Sequence, residues 1–482
     1  MRHAGPAPCP FPKGAAMNPV EEELTSAPEV REGEYGAKVV AVEPGGAEFI
    51  PLEERHGHPL QLFWTWTSPN FEFATVFVGV IAVAFFGQTL PQAIAAIVLG
   101  TVLGSLSHGI LSARGPAFGV PQMVLSRISF GYRGNILPAG LNALVAGIGW
   151  FAVNSVSGAF ALSSLTAMPK PLSLTIIVAV QLIVAFFGHN LVHTFERYAF
   201  PFLAVVFVVA SVVVLAKAQP GSVKGDGGIG GFLLTFGATF GYAAGWNPYA
   251  SDYTRYFHPH TSKKATGWWA GAGIAVSCIL LETVGAAAAT IPGGNWDDPT
   301  TAFTRDLPKL LAALTLLAIA VGAISANVLN IYSGALSFTT LGIKMHARAR
   351  RAIVAVVFGV VGFIVALTGL QDAGAKYENF LLIIAYWVGP WLAVYFTDQF
   401  LRRGTHVGNL LFDHNHRSWA GPIAMAVGMV VSIALFSNQL SYVGPVPKAF
   451  PQVGDLTFEV GFVISALLYA LLFRPARVRE QV

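Results

Sequence analysis

Twelve long apolar runs joined by short polar segments leave this chain few folds to choose from. They fall at approximately 71–88, 91–113, 136–167, 172–188, 199–217, 230–250, 268–291, 309–340, 352–369, 379–396, 420–437 and 457–473. A membrane-crossing helix needs about 20 mostly apolar residues, and a soluble core offers no place for so many runs of that length. Charge content agrees: 11% of the 482 residues are charged, against roughly 25% in an ordinary soluble domain. Lipid cannot satisfy backbone N–H and C=O groups, so such runs read as helices. The expected fold is an all-α polytopic membrane protein of about twelve transmembrane helices. The third and eighth runs exceed one bilayer thickness and are expected to tilt, break or project.

Charge distribution supplies the orientation. With the N-terminus inside, the tail, the even-numbered loops and the C-terminus hold 22 of the 29 basic residues, and the odd-numbered loops hold only seven, Lys170, Lys217, Lys224, Arg305, Lys309, Lys376 and Lys448. Positive charge of short loops stays in the cytoplasm, so both termini are expected there, in a cell (plasma) membrane. The sequence pI near 9.0 therefore reflects topology, and no nucleic-acid partner is expected. Residues 1–60 are rich in proline, glycine and acids without sustained periodicity and read as a disordered cytoplasmic tail. Gln61 to Asn70, with Trp64 and Trp66, reads as an interfacial approach to the bilayer. The first apolar run begins only near Phe71, which argues against a signal peptide. Cys9 and Cys278 support neither a disulfide framework nor a zinc site, and no metal is expected.

Three spans are poor anchors and so carry the chemistry. The sixth contains GYAAGWNPYASDYTRYF (241–257), where Gly241, Gly245 and Pro248 interrupt the helix. The first carries the ionisable Glu72 near its start and Gly79 further in. Broken membrane helices are tolerated where they line a cavity, and breaks at matching positions of two halves point to a transporter's midplane site. The eighth contains SANVLNIYSGALSF (325–338), whose Asn330, Ser333 and Ser337 share one face. Asn330 is the better ligand candidate, because one carboxamide both donates and accepts. In the third span Trp150 and Asn154 stand one turn apart, and Trp246 sits beside the break in the sixth. Two inward tryptophans and two carboxamides suit a small planar heterocycle such as a nucleobase, its faces stacked and its edges hydrogen-bonded.

Ionisable groups inside the bilayer are functional candidates by default. Glu282, deep in the seventh run, is either a proton carrier or a lock between helices. Arg127 and Asp252, near the inner ends of spans three and six, are candidates for an inner gate or for helix capping. A membrane-embedded enzyme would need an acid pair, a His/Asp cluster or a nucleophile with its base. HTFERY and DHNHRSW form no such site, and the metal-like spacing of His189 and His193 has no matching ligand set. No catalytic residue and no cofactor are expected.

The stretch GPAFGVPQMVLSRISFGYRG (115–134), running into NALVAGIGWFAVNSVSGA, resembles the purine/cytosine permease branch of the nucleobase–cation symporter family, as do GYAAGWNPYASDYTRY and SANVLNIYSGALS. The resemblance extends from about Trp64 to the end of span ten. It implies a LeuT-like fold: five-helix repeats at 61–217 and 218–396 in inverted orientation, then two further helices within 397–482. It implies substrate stacked between Trp150 and Trp246, with Asn154 and the backbone of Gly245 beside it. The span-eight asparagine matches Asn330, or Asn327 if the register differs. The implied activity is cation-coupled import of cytosine or a purine; relatives of this fold accept allantoin, hydantoins, thiamine or pyridoxine-like rings. Sodium-coupled members show two adjacent hydroxyl residues in span eight, where this chain has Ile324 and Ser325. A proton carried by Glu282 or Glu72 therefore stands beside sodium as the coupling cation.

Overall fold

The computed structural model describes residues 46–186, 189–342 and 347–474, so residues 1–45 of the expected tail lie outside the described residues. Each of the twelve apolar runs is helical over most of its length. Six helices are individually long and apolar enough to cross a bilayer: Leu90–Phe118, Ile136–Thr166, Ala199–Lys217, Lys263–Ala289, Lys309–Thr339 and Ala373–Leu401. The pair Gln61–Asn70 and Phe73–Ala84, bent by 62°, makes a seventh, and four shorter apolar helices accompany them. Among the described residues the only extended pairings are the isolated bridges Gly131–Arg417 and Asn438–Val443. The protein is all-α and polytopic.

Polarity sorts inside out. Leu471 is 82% exposed and Val430 67%, as side chains facing lipid should be. Asn70, Glu72, His108, Asn154, Glu282, Asn327 and Asn330 are buried, because polar groups in a bilayer find partners only among other helices.

Helix ends follow local chemistry. Span two, Leu90–Ser112, opens with a capping box between Thr89 and Gln92, with Pro91 in its first turn. Span seven, Lys263–Ala289, opens at Ser262, whose hydroxyl accepts from the Ala265 amide. Spans one and seven cross backbone to backbone. A Cβ added at Gly79 would stand 1.7 Å from the Glu282 carbonyl oxygen, and one at Gly285 1.7 Å from that of Val76. Gly79 is thus not a distortion, as its place in span one suggested, but a contact point in a regular helix.

The two long runs resolve differently. Lys309–Thr339 is one uninterrupted helix. Ile136–Thr166 contains a π-helical segment, Val145–Trp150, that ends on Trp150. Such segments rotate the following residues around the helix and recur at functional sites.

Two readings are corrected. Gln61–Asn70 is the first half of the broken span, and Trp66 is fully buried while Trp64 is 52% exposed. The pairing of tryptophans suggested an interface, but only Trp64 has the half-wet position that such residues favour. Residues 46–60 are packed, not free. Arg55 is buried, its Nε donates to the Ile50 carbonyl at 3.0 Å and its guanidinium to that of Pro116 at 2.8 Å. His56 N–H donates to the Tyr256 carbonyl at 2.6 Å, and Arg255 donates to that of Gly46 at 2.8 Å. Polar, proline-rich sequence hides this order because the partners lie far along the chain.

Candidate substrate site between the broken helices

Span one breaks where Pro69 lacks an N–H, Phe71 leaves helical geometry and Glu72 is extended (φ −145°, ψ 169°). Span six breaks after Ala244; Asn247–Tyr249 form a 3-10 turn containing Pro248, and helix resumes at Ala250. The residues of both breaks are buried inside the bundle.

The candidate residues Trp150, Gly245 and Trp246 come together here. Trp150 and Trp246 are both buried, at 6% and 7% exposure. A Cβ at Gly245 would lie 3.3 Å from Trp150 Cζ2, so the span-three indole rests on the backbone that carries Trp246. Trp150 packs edge-on against Tyr242 (5.4 Å between centroids) and Phe380 (5.1 Å). Trp246 packs edge-on against Trp66 (5.8 Å) and Tyr249 (5.6 Å).

The carboxamides divide into two kinds. Asn154 donates to Asn327 Oδ1 at 3.0 Å, and Asn327 donates to the Phe151 carbonyl at 2.9 Å and to Ser155 Oγ at 3.2 Å. Ser155 continues to Gln181, which reaches the Ala323 carbonyl at 3.2 Å. Asn327 is thereby committed to joining spans three and eight. Asn154 Oδ1, although buried, has no protein partner among the described residues. Asn330 Oδ1 accepts from the Tyr249 hydroxyl at a long 3.4 Å. Free acceptor capacity thus sits on Asn154 and weakly held capacity on Asn330, as an edge-reading role requires.

Four residues outside the expected set complete the site. Asn70 Oδ1 accepts from the Trp246 ring N–H at 3.0 Å, and its amide donates to the Trp66 carbonyl at 2.7 Å and to Ser277 Oγ at 3.2 Å. Thr75 donates to the Asn70 carbonyl at 2.7 Å and lies 2.5 Å from the Tyr242 hydroxyl. The tripeptide SPN ahead of the first run held a legible signal for Asn70, a polar residue beside a proline break; Thr75, Tyr242 and Ser277 had none.

The ion-coupling candidates part company. Glu282 Oε2 accepts from Thr101 of span two at 2.9 Å, Oε1 has no hydrogen-bond partner among the described residues, and its backbone forms the Gly79 crossing. Glu72 sits in the break itself: Oε1 accepts from Tyr242 at 3.4 Å, and Oε2 has no hydrogen-bond partner among the described residues. Gly322 of span eight packs directly on it, with Glu72 Cβ 3.1 Å from where a Gly322 Cβ would stand. Ser325, one turn on, is buried as well.

The gate candidates do not pair with each other. Asp252 Oδ1 accepts from the Gln122 amide at 2.9 Å. Arg127 donates to the carbonyls of Thr340 at 3.1 Å and Leu411 at 3.2 Å and lies over the Tyr132 ring. Each ties a loop to the bundle. The side chains of His189 and His193 lie outside those described.

Beyond Trp150, toward the end of the bundle that carries Pro299 and Thr300, lies a cavity of about 140 Å³. Phe73, Phe77, Val153, Phe160, Tyr377 and Phe380 are among its lining. The rings of Tyr377 and Phe380 also touch Trp150, so they separate this vestibule from the site.

A family model described as permease for cytosine/purines, uracil, thiamine and allantoin matches residues 49–461. YxlA of Bacillus subtilis, which carries a purine-cytosine permease name, is 31% identical over 451 residues, covering 90% of this chain and 96% of that protein. The purine-cytosine permease fcyB of Emericella nidulans is 28% identical over 465 residues, covering 91% and 89%. Mhp1, a nucleobase-cation-symport-1 family transporter solved closed with bromovinylhydantoin bound, superposes with a TM-score of 0.70 at 21% identity, over 89% of this chain and 95% of that one. The last likeness shows the fold, which is LeuT-like. The chain belongs to the family of cytosine/purine, uracil, thiamine and allantoin permeases.

Proposed function

We propose that this protein is a secondary transporter that imports a nucleobase, cytosine or a purine first, together with a cation. The observation that carries the reading is the contact of the buried Trp150 ring with the span-six break at Gly245, next to buried Trp246, with the bare acceptor of buried Asn154 one turn after Trp150. Flat faces would stack on the indoles, Asn154 and Asn330 would read the ring edge, and the backbone at the span-six break near Gly245 would add a contact. The names of YxlA and fcyB support the substrate class. The hydantoin bound by Mhp1 supports a second, smaller ring as the alternative.

The chain is read as a plasma-membrane protein with residues 46–60 and both termini at the cytoplasmic face and the Phe380 vestibule at the outer one. Alternating access would rock one five-helix repeat, 61–217, against the other, 218–396. Arg127 and Asp252 would help close the inner end. A proton is the cation we favour, with Glu72 its carrier. Glu72 lies in a helix break and accepts a long 3.4 Å bond from Tyr242, whereas Glu282 lies in a regular helix and accepts a 2.9 Å bond from Thr101, the second oxygen of each being unpartnered among the described residues; Ser325 has only Ile324 where sodium would want a second hydroxyl.

Purified protein in proteoliposomes, offered labelled cytosine, adenine, hypoxanthine, uracil, hydantoin and pyridoxine with sodium or choline outside and pH varied, tests this. Uptake of one nucleobase, driven by an inward proton gradient and lost in Trp150→Ala and Trp246→Ala, is the expected result. Sodium dependence at constant pH would refute the proton assignment, and inactivity toward the whole panel would refute the transport reading.

A further inference from the structure

We infer that Thr75, Tyr242 and Asn70 form a directional hydroxyl relay through which the protonation state of Glu72 sets how firmly Trp246 is held against substrate. The inference rests on the proton reading above and assigns positioning roles to three residues that neither the motifs nor the family likeness single out.

The relay is continuous. Glu72 Oε1 meets the Tyr242 hydroxyl at 3.4 Å, Tyr242 meets Thr75 at 2.5 Å, and Thr75 meets the Asn70 carbonyl at 2.7 Å. Asn70 in turn holds the Trp246 ring N–H through Oδ1 at 3.0 Å. All five residues are buried, so water does not intervene to scramble the order. Tyr242 also packs on Trp150, and the chain thereby touches both indoles.

Each hydroxyl owns one proton, and this makes the relay directional. With Glu72 ionised, Tyr242 donates to the carboxylate. Thr75 must then donate to Tyr242 across their short contact, and the Asn70 carbonyl loses its side-chain donor. With Glu72 protonated, the carboxyl O–H can donate to Tyr242, Tyr242 to Thr75, and Thr75 to Asn70. One proton gained at Glu72 reverses every hydroxyl in the row and gives a hydrogen bond to the residue that anchors Trp246. No proton needs to travel; only the hydrogen-bond direction changes.

The titratable groups acting on or near Glu72 are Tyr242 of span six, Tyr377 of span ten, and Cys278 and Glu282 of span seven, none of them basic. Span eight meets Glu72 at the uncharged Gly322, and span five meets the break through Phe200 on Phe71. No neighbouring cation among these groups competes with the proton for control of the relay.

A neutral hydrogen bond is worth about 1 kcal/mol net, which corresponds to about a fivefold change in KM. The test uses the full-length protein in proteoliposomes and the panel heterocycle taken up fastest, with KM and Vmax measured from pH 5.5 to 8. Wild-type KM should rise about fivefold with pH. Glu72→Gln, whose amide donates permanently to Tyr242, should hold the low-pH KM at every pH and lose gradient-driven accumulation. Thr75→Val and Tyr242→Phe should each flatten KM against pH, and Thr75→Ser should restore the slope. Thermal unfolding of each variant identifies any that fails to fold, and either of the two relay variants then carries the test. A wild-type KM-against-pH slope in whichever of Thr75→Val and Tyr242→Phe folds would overturn the relay while leaving Glu72 as carrier. A wild-type slope in Glu72→Gln would instead overturn the proton reading beneath it.

Discussion

Asn327 and Asn330 offer a sharp test, since they differ by three positions on one helix and serve different ends. Asn327 makes three bonds: to the Phe151 carbonyl, to Ser155 and from Asn154. Interhelical hydrogen bonds in membrane proteins average about 0.6 kcal/mol each, so Asn327→Ala should cost about 2 kcal/mol of stability. Asn330 has one long bond to Tyr249 among the described residues, and Asn330→Ala should cost no more than about 0.6 kcal/mol. The order reverses for substrate. Losing an edge contact in a dry site removes about 1–3 kcal/mol, raising KM by roughly five- to 150-fold at Asn330. Loss of Asn327 should raise KM less, through a loosened Asn154. Fluorescence-detected size-exclusion thermal scans give the stability order in detergent, and initial-rate uptake gives KM. Thermally unchanged Asn327→Ala with a large KM defect, beside a silent Asn330→Ala, would refute this division and make Asn327 the ligand.

Three further expectations follow from single contacts. Gly79→Ala must push spans one and seven apart, because its Cβ would meet the Glu282 carbonyl at 1.7 Å; a loss of about 3 kcal/mol, at the upper end of overpacking costs, should show as a lower unfolding temperature, and an unchanged one would contradict the crossing. Glu282→Gln keeps an acceptor for Thr101 and should leave the pH dependence of uptake intact, whereas Glu282→Ala should destabilise; loss of proton-driven accumulation in Glu282→Gln would show that it carries the ion. Arg55→Ala should release residues 46–60, with about 1.5–3 kcal/mol lost for bonds from a charged donor, read as faster cleavage of this segment by protease. Burial lowers the Arg55 guanidinium to about 10, so it is still charged at neutral pH and protection should not change between pH 6 and 8.

Much of the candidate site was legible because membranes make polarity conspicuous. Trp150, Asn154, Trp246 and the two span-eight asparagines stand out against apolar neighbours at helical spacing, and Gly245 and Pro248 announce the break. What could not be read was partnership. Nothing within one span says whether a carboxamide faces a ligand or another helix, and Asn327 and Asn330 look alike until Asn154 is placed opposite one of them. Glu72 and Glu282 are likewise both lone acids in apolar runs, separated only when the structure sets Glu72 in a helix break, with a long bond from Tyr242, and Glu282 in a regular helix, with a shorter one from Thr101.

By itself, the sequence determined the all-helical membrane fold, the position of the span-six break and the pair of indoles, because these depend on local hydrophobic length, on the missing proline N–H and on composition. Tertiary structure alone decided that Gln61–Asn70 is half of a broken span, that residues 46–60 are packed, and that Tyr242, Thr75 and Asn70 connect Glu72 to Trp246. Those facts rest on contacts between residues up to about two hundred positions apart. Such contacts arise from helix crossings, which glycines such as Gly79 and Gly285 permit and which no single helix encodes.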